Sequence, residues 1–150
     1  VKADLAEYTA AYVAQKEAAY SRDRLQIRLR TGPDLLPEIS MDVDQVKRVF
    51  DNLLENSLKY ARVSPVQVEV SVRKADPHIL LEWRDNGKGV PEEKLEKIFE
   101  RFYRCDEARQ EQGSGVGLYV VRYIMERHHG TVKAENDGGL KVSLYFPLSG

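Results

Sequence analysis

The stretch DVDQVKRVFDNLLENSLKYA, residues 42–61, carries the most regular pattern in the chain. Its core-type side chains recur at intervals of three and four residues, which is the spacing of one face of a helix. That face consists of Val46, Val49, Phe50, Leu53, Leu54, Ser57 and Ala61. Asp42 is a typical N-cap residue, and Gln45 would complete a capping-box-like pair. The sequence therefore predicts an amphipathic helix here.

Alternating apolar and polar residues on both sides of this helix predict strands. Residues 25–30 show the alternation, and a short extended segment is expected over residues 38–41. Residues 66–84 form two alternating runs separated by a turn. Residues 131–148 form two more around the turn at residues 137–139. Each pair of runs is typical of a β-hairpin.

Two further helices are expected. Residues 2–20 are rich in Ala, Glu and Lys and contain no Gly or Pro. One face of that helix would hold Leu5, Tyr8, Tyr12 and Ala19. Residues 116–128 predict the other helix, with Gly130 as its C′ residue. Three amphipathic helices and two hairpins favour an α+β fold: a two-layer sandwich whose mixed, mostly antiparallel sheet is covered on one face by the helices.

Composition limits the class of protein. The 150 residues predict one domain, residues 1–150, which we expect to be excised from a longer protein. The net charge of −1 gives no overall basic field for nucleic acid or anionic lipid. The single cysteine, Cys105, cannot form an internal disulfide, and no run approaches the roughly 20 apolar residues of a membrane span.

A polar stripe borders the apolar face of the 42–61 helix. Asn52, Asn56, Lys59 and Tyr60 stand at i, i+4, i+7 and i+8. Two carboxamides followed by a lysine could hold hydrated Mg²⁺ and an anion, because Mg²⁺ prefers oxygen ligands and shares them with phosphates. The alternative is an ordinary solvated stripe at the edge of a buried helix.

Two glycine-rich stretches are the other candidates for chemistry. Asp85-Asn86-Gly87-Lys88-Gly89-Val90 follows a predicted strand, where glycine permits close backbone approach to a ligand and Asp85 can accept a hydrogen bond from an amino group. The alternative is a glycine turn capped by Asp85. Gly113-Ser114-Gly115-Val116-Gly117-Leu118 opens a helix, and free N–H groups there favour phosphate. Its spacing matches neither a P-loop nor a dinucleotide fingerprint.

Together with Ile98-Phe99-Glu-Arg101-Phe102-Tyr103-Arg104, these stretches resemble the ATP-binding catalytic domain of bacterial sensor histidine kinases. That family shares its nucleotide fold with gyrase, mismatch-repair and heat-shock-chaperone ATPases. Residues 52–60 resemble the N box, residues 85–89 the first glycine box, residues 98–104 the F box, and residues 113–118 the second glycine box. The four boxes occur in the family's order across nearly the whole chain.

The resemblance implies a role for each matching residue. Asn56 would coordinate Mg²⁺, supported by Asn52, while Lys59 would contact phosphate and Tyr60 would pack on the purine. Asp85 would accept a hydrogen bond from the adenine amino group. The loop beneath the base would contain Gly87, Gly89 and Val90. The phosphate end and a mobile lid over residues 103–114 would involve Arg101, Arg104, Gly113, Ser114, Gly115, Val116, Gly117 and Leu118.

Position 52 separates kinase from hydrolase in this family. The ATPase relatives have a water-activating glutamate four residues before the metal-binding asparagine, where this chain has Asn52. A carboxamide cannot act as a general base, so little hydrolysis is expected. The resemblance instead implies transfer of the γ-phosphoryl group to a protein. The rivals are a serine/threonine protein kinase of the anti-sigma-factor type, a non-catalytic ATP sensor and a stand-alone ATPase.

The resemblance also implies partners. The acceptor would be a histidine in a separate dimerisation domain, because His78, His128 and His129 lack the acidic residue that follows the family's acceptor. The parent would be a sensor, usually membrane-anchored, that holds this domain in the cytoplasm and acts on a response regulator. The fragment itself is expected to be monomeric and inactive toward itself.

Overall fold

The computed structural model describes residues 1–33, 35–100 and 117–148. Within them, no helix combines the length and apolar character needed to cross a membrane. The elements in chain order are β1 (Lys2–Ala3), α1 (Leu5–Ala19), β2 (Leu25–Thr31), β3 (Ile39–Ser40), α2 (Val43–Tyr60), β4 (Val66–Ala75), β5 (His78–Asp85), a 3₁₀ turn (Glu92–Lys94), α3 (Gly117–Arg127), β6 (Thr131–Asn136) and β7 (Leu140–Pro147).

The main sheet has five strands in the order β2-β4-β5-β7-β6. Strands β2 and β4 are parallel, and the other three neighbouring pairs are antiparallel. Both predicted hairpins are confirmed, as β4–β5 and β6–β7. A parallel pair needs a long crossover connection, and α2 lies within the one between β2 and β4.

The three helices and one face of the sheet enclose a single apolar core. Every residue of the predicted stripe on α2 is buried. The strands contribute alternating buried residues, which are Leu25, Ile27, Val66, Val68, Val70, Val72, Ile79, Leu81, Trp83, Leu140, Val142, Leu144 and Phe146. Charged pairs such as Glu69 with Arg84 and Lys141 with Glu82 lie on the other sheet face. The predicted α+β sandwich is therefore confirmed, while the predicted lid, residues 103–114, lies outside the described residues.

The first predicted helix is shorter than residues 2–20. Lys2 and Ala3 pair with β3 as a short strand, and the Asp4 side chain then accepts a hydrogen bond from the Glu7 N–H at 3.0 Å. Since an N-cap satisfies the first unpaired N–H groups of a helix, α1 begins at Leu5. Ala19, expected on the buried face, is exposed, whereas Thr9 and Val13 are buried.

The start of α2 shows only one of the two predicted capping-box interactions, the one made by the Asp42 side chain. Asp42 Oδ1 accepts from the backbone N–H groups of Asp44 and Gln45, at 3.1 and 3.2 Å. The reciprocal half of the capping box is replaced, because the Asp42 N–H donates to His128 Nε2 at 3.0 Å. A ring nitrogen that accepts carries no proton, so His128 Nδ1 holds the hydrogen and can donate to the carbonyl of Ile124, 2.9 Å away.

The end of α3 also differs from expectation. His129, with φ of +63°, takes the left-handed C′ position that was predicted for Gly130. The His129 N–H bonds to the carbonyl of Glu126 and the Gly130 N–H to that of Met125, which is the Schellman pattern. Gly130 is required for another reason: a Cβ there would collide with the carbonyl oxygen of Tyr145.

Asp51 ties α1 to α2 and should contribute to stability in a pH-dependent way. Its carboxylate accepts from the Tyr12 hydroxyl at 2.7 Å and from Lys47 Nζ at 2.8 Å. Burial raises the pKa of Asp51. The two hydrogen bonds and the neighbouring lysine charges together lower this pKa by more than burial raises it, so the net pKa lies below its ordinary value of 3.8. Because folding lowers this pKa, the ionised Asp51 stabilises the folded state fully at pH values above the ordinary pKa of 3.8. That stabilisation is lost as the pH falls through the lower pKa of the folded state.

Asp51→Asn should therefore lower the urea midpoint near neutral pH. The variant should also lose less unfolding free energy than the wild type between neutral pH and acid. Urea unfolding at neutral pH and at about pH 3 measures both effects. The exposed Asp23→Asn variant is the matched control and should follow the wild type. An acid-induced loss of stability equal in wild type and Asp51→Asn would show that Asp51 makes no such contribution.

Candidate functional site

A cavity of about 230 Å³ opens between the C-terminal half of α2, the loop after β5 and the start of α3. Its lining residues are Asn56, Tyr60, Ala61, Arg62, Asp85, Lys88, Gly89, Val90, Leu118 and Leu140. Six of these were predicted as site residues: Asn56, Tyr60, Asp85, Gly89, Val90 and Leu118. The fold thus brings two residues of the polar stripe, Asn56 and Tyr60, and parts of both glycine-rich stretches to one cavity.

Asn52 and Lys59 line a neighbouring groove on the surface of α1 and α2, together with Lys16 and Glu55. Lys59 Nζ lies 5.9 Å from the centroid of the Tyr60 ring, so the lysine stands next to a residue of the cavity. Gly117 begins α3. The other predicted phosphate-end residues, which are Arg101, Arg104, Gly113, Ser114, Gly115 and Val116, lie outside the described residues.

Asp85 ends β5 and is the buried acid of the cavity, with 5% of its surface exposed. Its Oδ1 accepts from the backbone N–H groups of Gly87 at 2.9 Å and Leu140 at 3.2 Å. Its Oδ2 accepts from the Ser57 hydroxyl at 3.2 Å. An ionised carboxylate offers about four acceptor positions. Among the described residues, these three donors leave one acceptor position, on Oδ2, and Asp85 lines the cavity.

Close backbone packing holds Asp85 and its loop in place. A Cβ on Gly139 would collide with the carbonyl oxygen of Asp85, and one on Gly87 would collide with Ala61 at the end of α2. Gly89 has φ of +75°, a conformation that favours glycine. Gly87 is therefore needed because a side chain would not fit there, and Gly89 is needed because of its backbone conformation.

Asn136, at the end of β6, secures the same loop from the other side. Its Nδ2 donates to the Val90 carbonyl at 2.6 Å, and its Oδ1 accepts from the Val90 N–H at 2.9 Å. The Nδ2 group also reaches the Glu92 carboxylate at 3.3 Å. This two-sided clamp fixes the backbone that forms the apolar wall.

Sequence reasoning missed three residues that hold Asp85 and its loop in place. Asn136 and Gly139 act on partners about 50 positions away, and no local pattern marks them. Ser57 carried a visible signal, because it is the polar member of a stripe that is otherwise apolar. A buried hydroxyl requires a partner, so that position indicated a second polar group in the core.

The cavity combines several kinds of chemistry. Asp85 offers an acceptor, Asn56 offers a carboxamide, and Val90, Leu118 and Leu140 form an apolar wall. Arg62 and Lys88, neither of them predicted, add two cationic side chains to the lining. A ligand with an amino donor on an apolar ring and a negatively charged end suits this arrangement.

Comparison with known proteins identifies the family. The model of the histidine kinase-, DNA gyrase B- and HSP90-like ATPases matches residues 41–150. The chain belongs to this family. The matched segment contains α2 and the loop after β5, and the family resemblance predicted from the four boxes is confirmed. As a family member, the chain is an ATP-binding domain.

Curated relatives in the family are sensor kinases. The probable sensor kinase SilS of Salmonella typhimurium is 41% identical over 98 residues, which is 64% of this chain and 20% of that protein. The sensor protein kinase WalK of Staphylococcus haemolyticus is 36% identical over 131 residues, 85% of this chain and 21% of that protein. The chain thus spans about a fifth of the length of these relatives.

Solved structures show the same fold. The catalytic domain of histidine kinase ThkA superposes with a TM-score of 0.83 at 21% identity, covering 100% of this chain and 98% of that one. The mycobacterial sensor histidine kinase MprB gives a TM-score of 0.81 at 24% identity, covering 98% and 97%. At these identities the likeness establishes the architecture.

Proposed function

We propose that this domain binds Mg·ATP and transfers the γ-phosphoryl group to a histidine on a separate dimerisation domain of its parent protein. The observation that carries the proposal is the buried Asp85 carboxylate, which has one acceptor position left on the wall of a cavity shared with Asn56. The family description, which includes histidine kinases, and the relatives named as sensor kinases together support a histidine as acceptor. The parent would be a membrane-anchored sensor that holds this domain in the cytoplasm and acts on a response regulator.

The base end of ATP fits the cavity by donor and acceptor matching. The exocyclic amino group of adenine donates, and the remaining position on Asp85 Oδ2 accepts. A 6-oxo purine presents an acceptor at the same place and would face the carboxylate unfavourably. Val90, Leu118 and Leu140 supply the apolar surface for the ring, and Tyr60 would pack on it from α2.

The metal site also fits, with Asn56 as the protein ligand. The Asn56 carboxamide is a hard oxygen donor that lines the cavity. Over the described ranges, no group of three or more His, Cys, Asp or Glu residues could hold a metal ion. Mg²⁺ commonly binds through one or two protein oxygens, several waters and the substrate phosphates. When bound, Mg²⁺ would neutralise the phosphate oxygens, so its binding should depend on the nucleotide.

In this proposal the phosphates extend toward the groove that holds Asn52 and Lys59. Lys59 would stabilise charge on the transferred group, and Arg101 and Arg104 of the F box would add to it. Gly113, Ser114, Gly115, Val116 and Gly117 would approach the phosphates and shape the lid. Phosphoryl transfer needs positioning and charge neutralisation rather than a covalent protein intermediate, which these residue types can supply.

Phosphotransfer to a supplied acceptor tests the proposal. The domain is incubated with radiolabelled Mg·ATP and a dimerisation domain that carries the acceptor histidine. We expect label on that histidine that is lost in acid and stable in base, as phosphohistidine is. Acid-stable label would identify a serine/threonine kinase, and ATP binding with no label on any protein would identify a nucleotide sensor.

Asn52→Glu should raise intrinsic ATP hydrolysis. Positions 52 and 56 lie one turn apart on α2, so a carboxylate at position 52 would stand beside the Mg²⁺ ligand and could activate water. General-base catalysis is typically worth about 10²- to 10⁴-fold, and we expect at least about tenfold. Steady-state phosphate release measures the change. Asn52→Gln has the same size without the base, and equal rates for the two variants would contradict the role of position 52.

A further inference from the structure

Three buried side chains form a hydrogen-bonded chain that ends on Asp85. The Trp83 indole N–H donates to Ser57 Oγ at 3.1 Å, and the Ser57 hydroxyl donates to Asp85 Oδ2 at 3.2 Å. Trp83 and Ser57 are each 2% exposed and Asp85 is 5% exposed. The chain links α2 to two positions of β5 and lies behind the cavity wall.

The direction of this chain is determined by its end groups. An indole N–H can only donate, and an ionised carboxylate can only accept. The Ser57 hydroxyl has one proton, and since its oxygen already accepts from Trp83, the proton points to Asp85. Alanine at position 57 would leave the buried indole without its acceptor and Asp85 Oδ2 without its donor, while nearly all of the side-chain volume would be kept.

The two carboxylate oxygens of Asp85 therefore have different tasks. Oδ1 takes two backbone N–H groups, from Gly87 and Leu140, and is filled. Oδ2 takes the Ser57 hydroxyl, and its second acceptor position is the one that remains for a ligand. The orientation of that position depends on how the Ser57 hydroxyl holds Oδ2.

We propose that Ser57 and Trp83 are positioning residues for recognition of the base: their one-way hydrogen-bonded chain holds Asp85 Oδ2 so that a single acceptor position faces the amino group of a 6-aminopurine. This inference rests on the proposed binding of ATP and deepens it. An acceptor oriented in advance loses less freedom on binding than one that is free to turn. Without the Ser57 hydroxyl, Oδ2 has two positions to fill, and water in the cavity competes with the amino group for them.

A purely structural role for Ser57 makes a different prediction. If the hydroxyl only satisfied the indole N–H, its removal would weaken all nucleotides by the same factor. If it orients Asp85 Oδ2, its removal should weaken chiefly those nucleotides that carry the amino group. The two roles are separated by comparing ATP with purine riboside triphosphate, which lacks that amino group and is otherwise the same molecule.

The experiment titrates Mg·ATP and Mg·purine riboside triphosphate into wild type, Ser57→Ala and Ser143→Ala. Ser143 is a buried serine on β7, 7% exposed, and serves as the matched control. Since a hydrogen bond to a charged group is worth about 1.5–3 kcal/mol, the wild type should prefer ATP by about tenfold or more. Ser57→Ala should reduce that preference to about a third or less, and Ser143→Ala should leave it unchanged.

The outcomes separate the two proposals. If Ser57→Ala weakens the binding of both nucleotides by the same factor, the positioning role is overturned. The proposal that the domain binds ATP would still stand. A wild type that binds neither nucleotide would overturn the proposed function, and the inference with it. If Ser57→Ala does not fold, Trp83→Phe keeps an aromatic side chain in the core and removes the N–H together with the five-membered ring. The preference for ATP should then narrow by a smaller factor, and an unchanged preference would overturn the inference.

Trp83 also provides an optical signal, because it is the single tryptophan of the chain. Its indole N–H is joined to the base-binding acceptor through one hydroxyl. Indole emission responds to its hydrogen bonding, so ATP should shift the emission more than purine riboside triphosphate does. In Ser57→Ala the two nucleotides should give equal shifts, and a difference that persists there would contradict the role of the hydroxyl.

Discussion

Asp85→Asn should weaken ATP binding by about a hundredfold, which corresponds to about 2.7 kcal/mol, and should leave the fold intact. Asparagine has the size of aspartate but replaces one oxygen with an NH₂ donor. If that NH₂ takes the Oδ1 position, it opposes the N–H groups of Gly87 and Leu140. If it takes the Oδ2 position, it opposes the Ser57 hydroxyl and the amino group of adenine. Either way the acceptor required by the base is lost or displaced.

Thermal unfolding with and without Mg·ATP measures this effect. A ligand at 100 times its dissociation constant stabilises a protein by about 2.7 kcal/mol, so the wild type should show a clear rise in Tm. Asp85→Asn should show almost none at the same concentration. Asp76→Asn, in the exposed turn between β4 and β5, is the control and should keep the full rise. A rise of wild-type size in Asp85→Asn would show that Asp85 is not the acceptor for the base.

The elements predicted best are those whose signals are local. Helix α2 has a cap, a complete apolar stripe and strong periodicity in one stretch, and its predicted buried face matches the structure residue for residue. The hairpins follow from alternation and a turn within about 20 residues. The pairing of Lys2–Ala3 with Ile39–Ser40 depends on a partner far along the chain, and two residues carry too little pattern to show it.

Helix ends were harder to predict for the same reason. Gly130 is the residue type expected at a C′ position, yet its place beside the Tyr145 carbonyl requires the absence of a side chain. The left-handed turn then falls one residue earlier, on His129. His128 replaces Gln45 as the acceptor for the Asp42 N–H because the fold brings the end of α3 to the start of α2. These are tertiary contacts, and local propensity does not contain them.

The candidate site also contains residues that local motifs predicted and residues that only the fold revealed. Asp85, Asn56 and the glycines could be chosen from short motifs, because ligand chemistry restricts the residue types at each position of those motifs. The residues that support them could not be chosen in this way, because Asn136 and Gly139 reach the site from the distant β6–β7 hairpin. Ser57 stood out in the sequence as the polar member of an apolar stripe, but its partners depend on the fold, which brings its hydroxyl between Trp83 and Asp85.

Gly139→Ala should have the largest effect of any substitution outside the residues that contact ligand. Gly139 has φ of +143°, a conformation that is nearly restricted to glycine, and a Cβ there would collide with the Asp85 carbonyl oxygen and approach its Oδ1 at 2.9 Å. Since backbone strain of this kind costs about 1–3 kcal/mol and the collision adds to it, we expect a loss of stability of about 3 kcal/mol or more. Relief of the collision must move β5 at Asp85, so ATP binding should be lost as well.

Gly138→Ala is the matched control, because both glycines belong to the same turn and both have positive φ. At Gly138, with φ of +66°, the nearest atom to a new Cβ is the flexible end of Arg84, 3.3 Å away. Left-handed backbone alone costs an alanine roughly 1–2 kcal/mol, so Gly138→Ala should lose that much stability and still bind ATP. Urea unfolding and nucleotide titration of both variants separate turn strain from damage to the site. Equal losses in the two variants would mean that turn strain accounts for the whole effect and that contact with Asp85 contributes nothing.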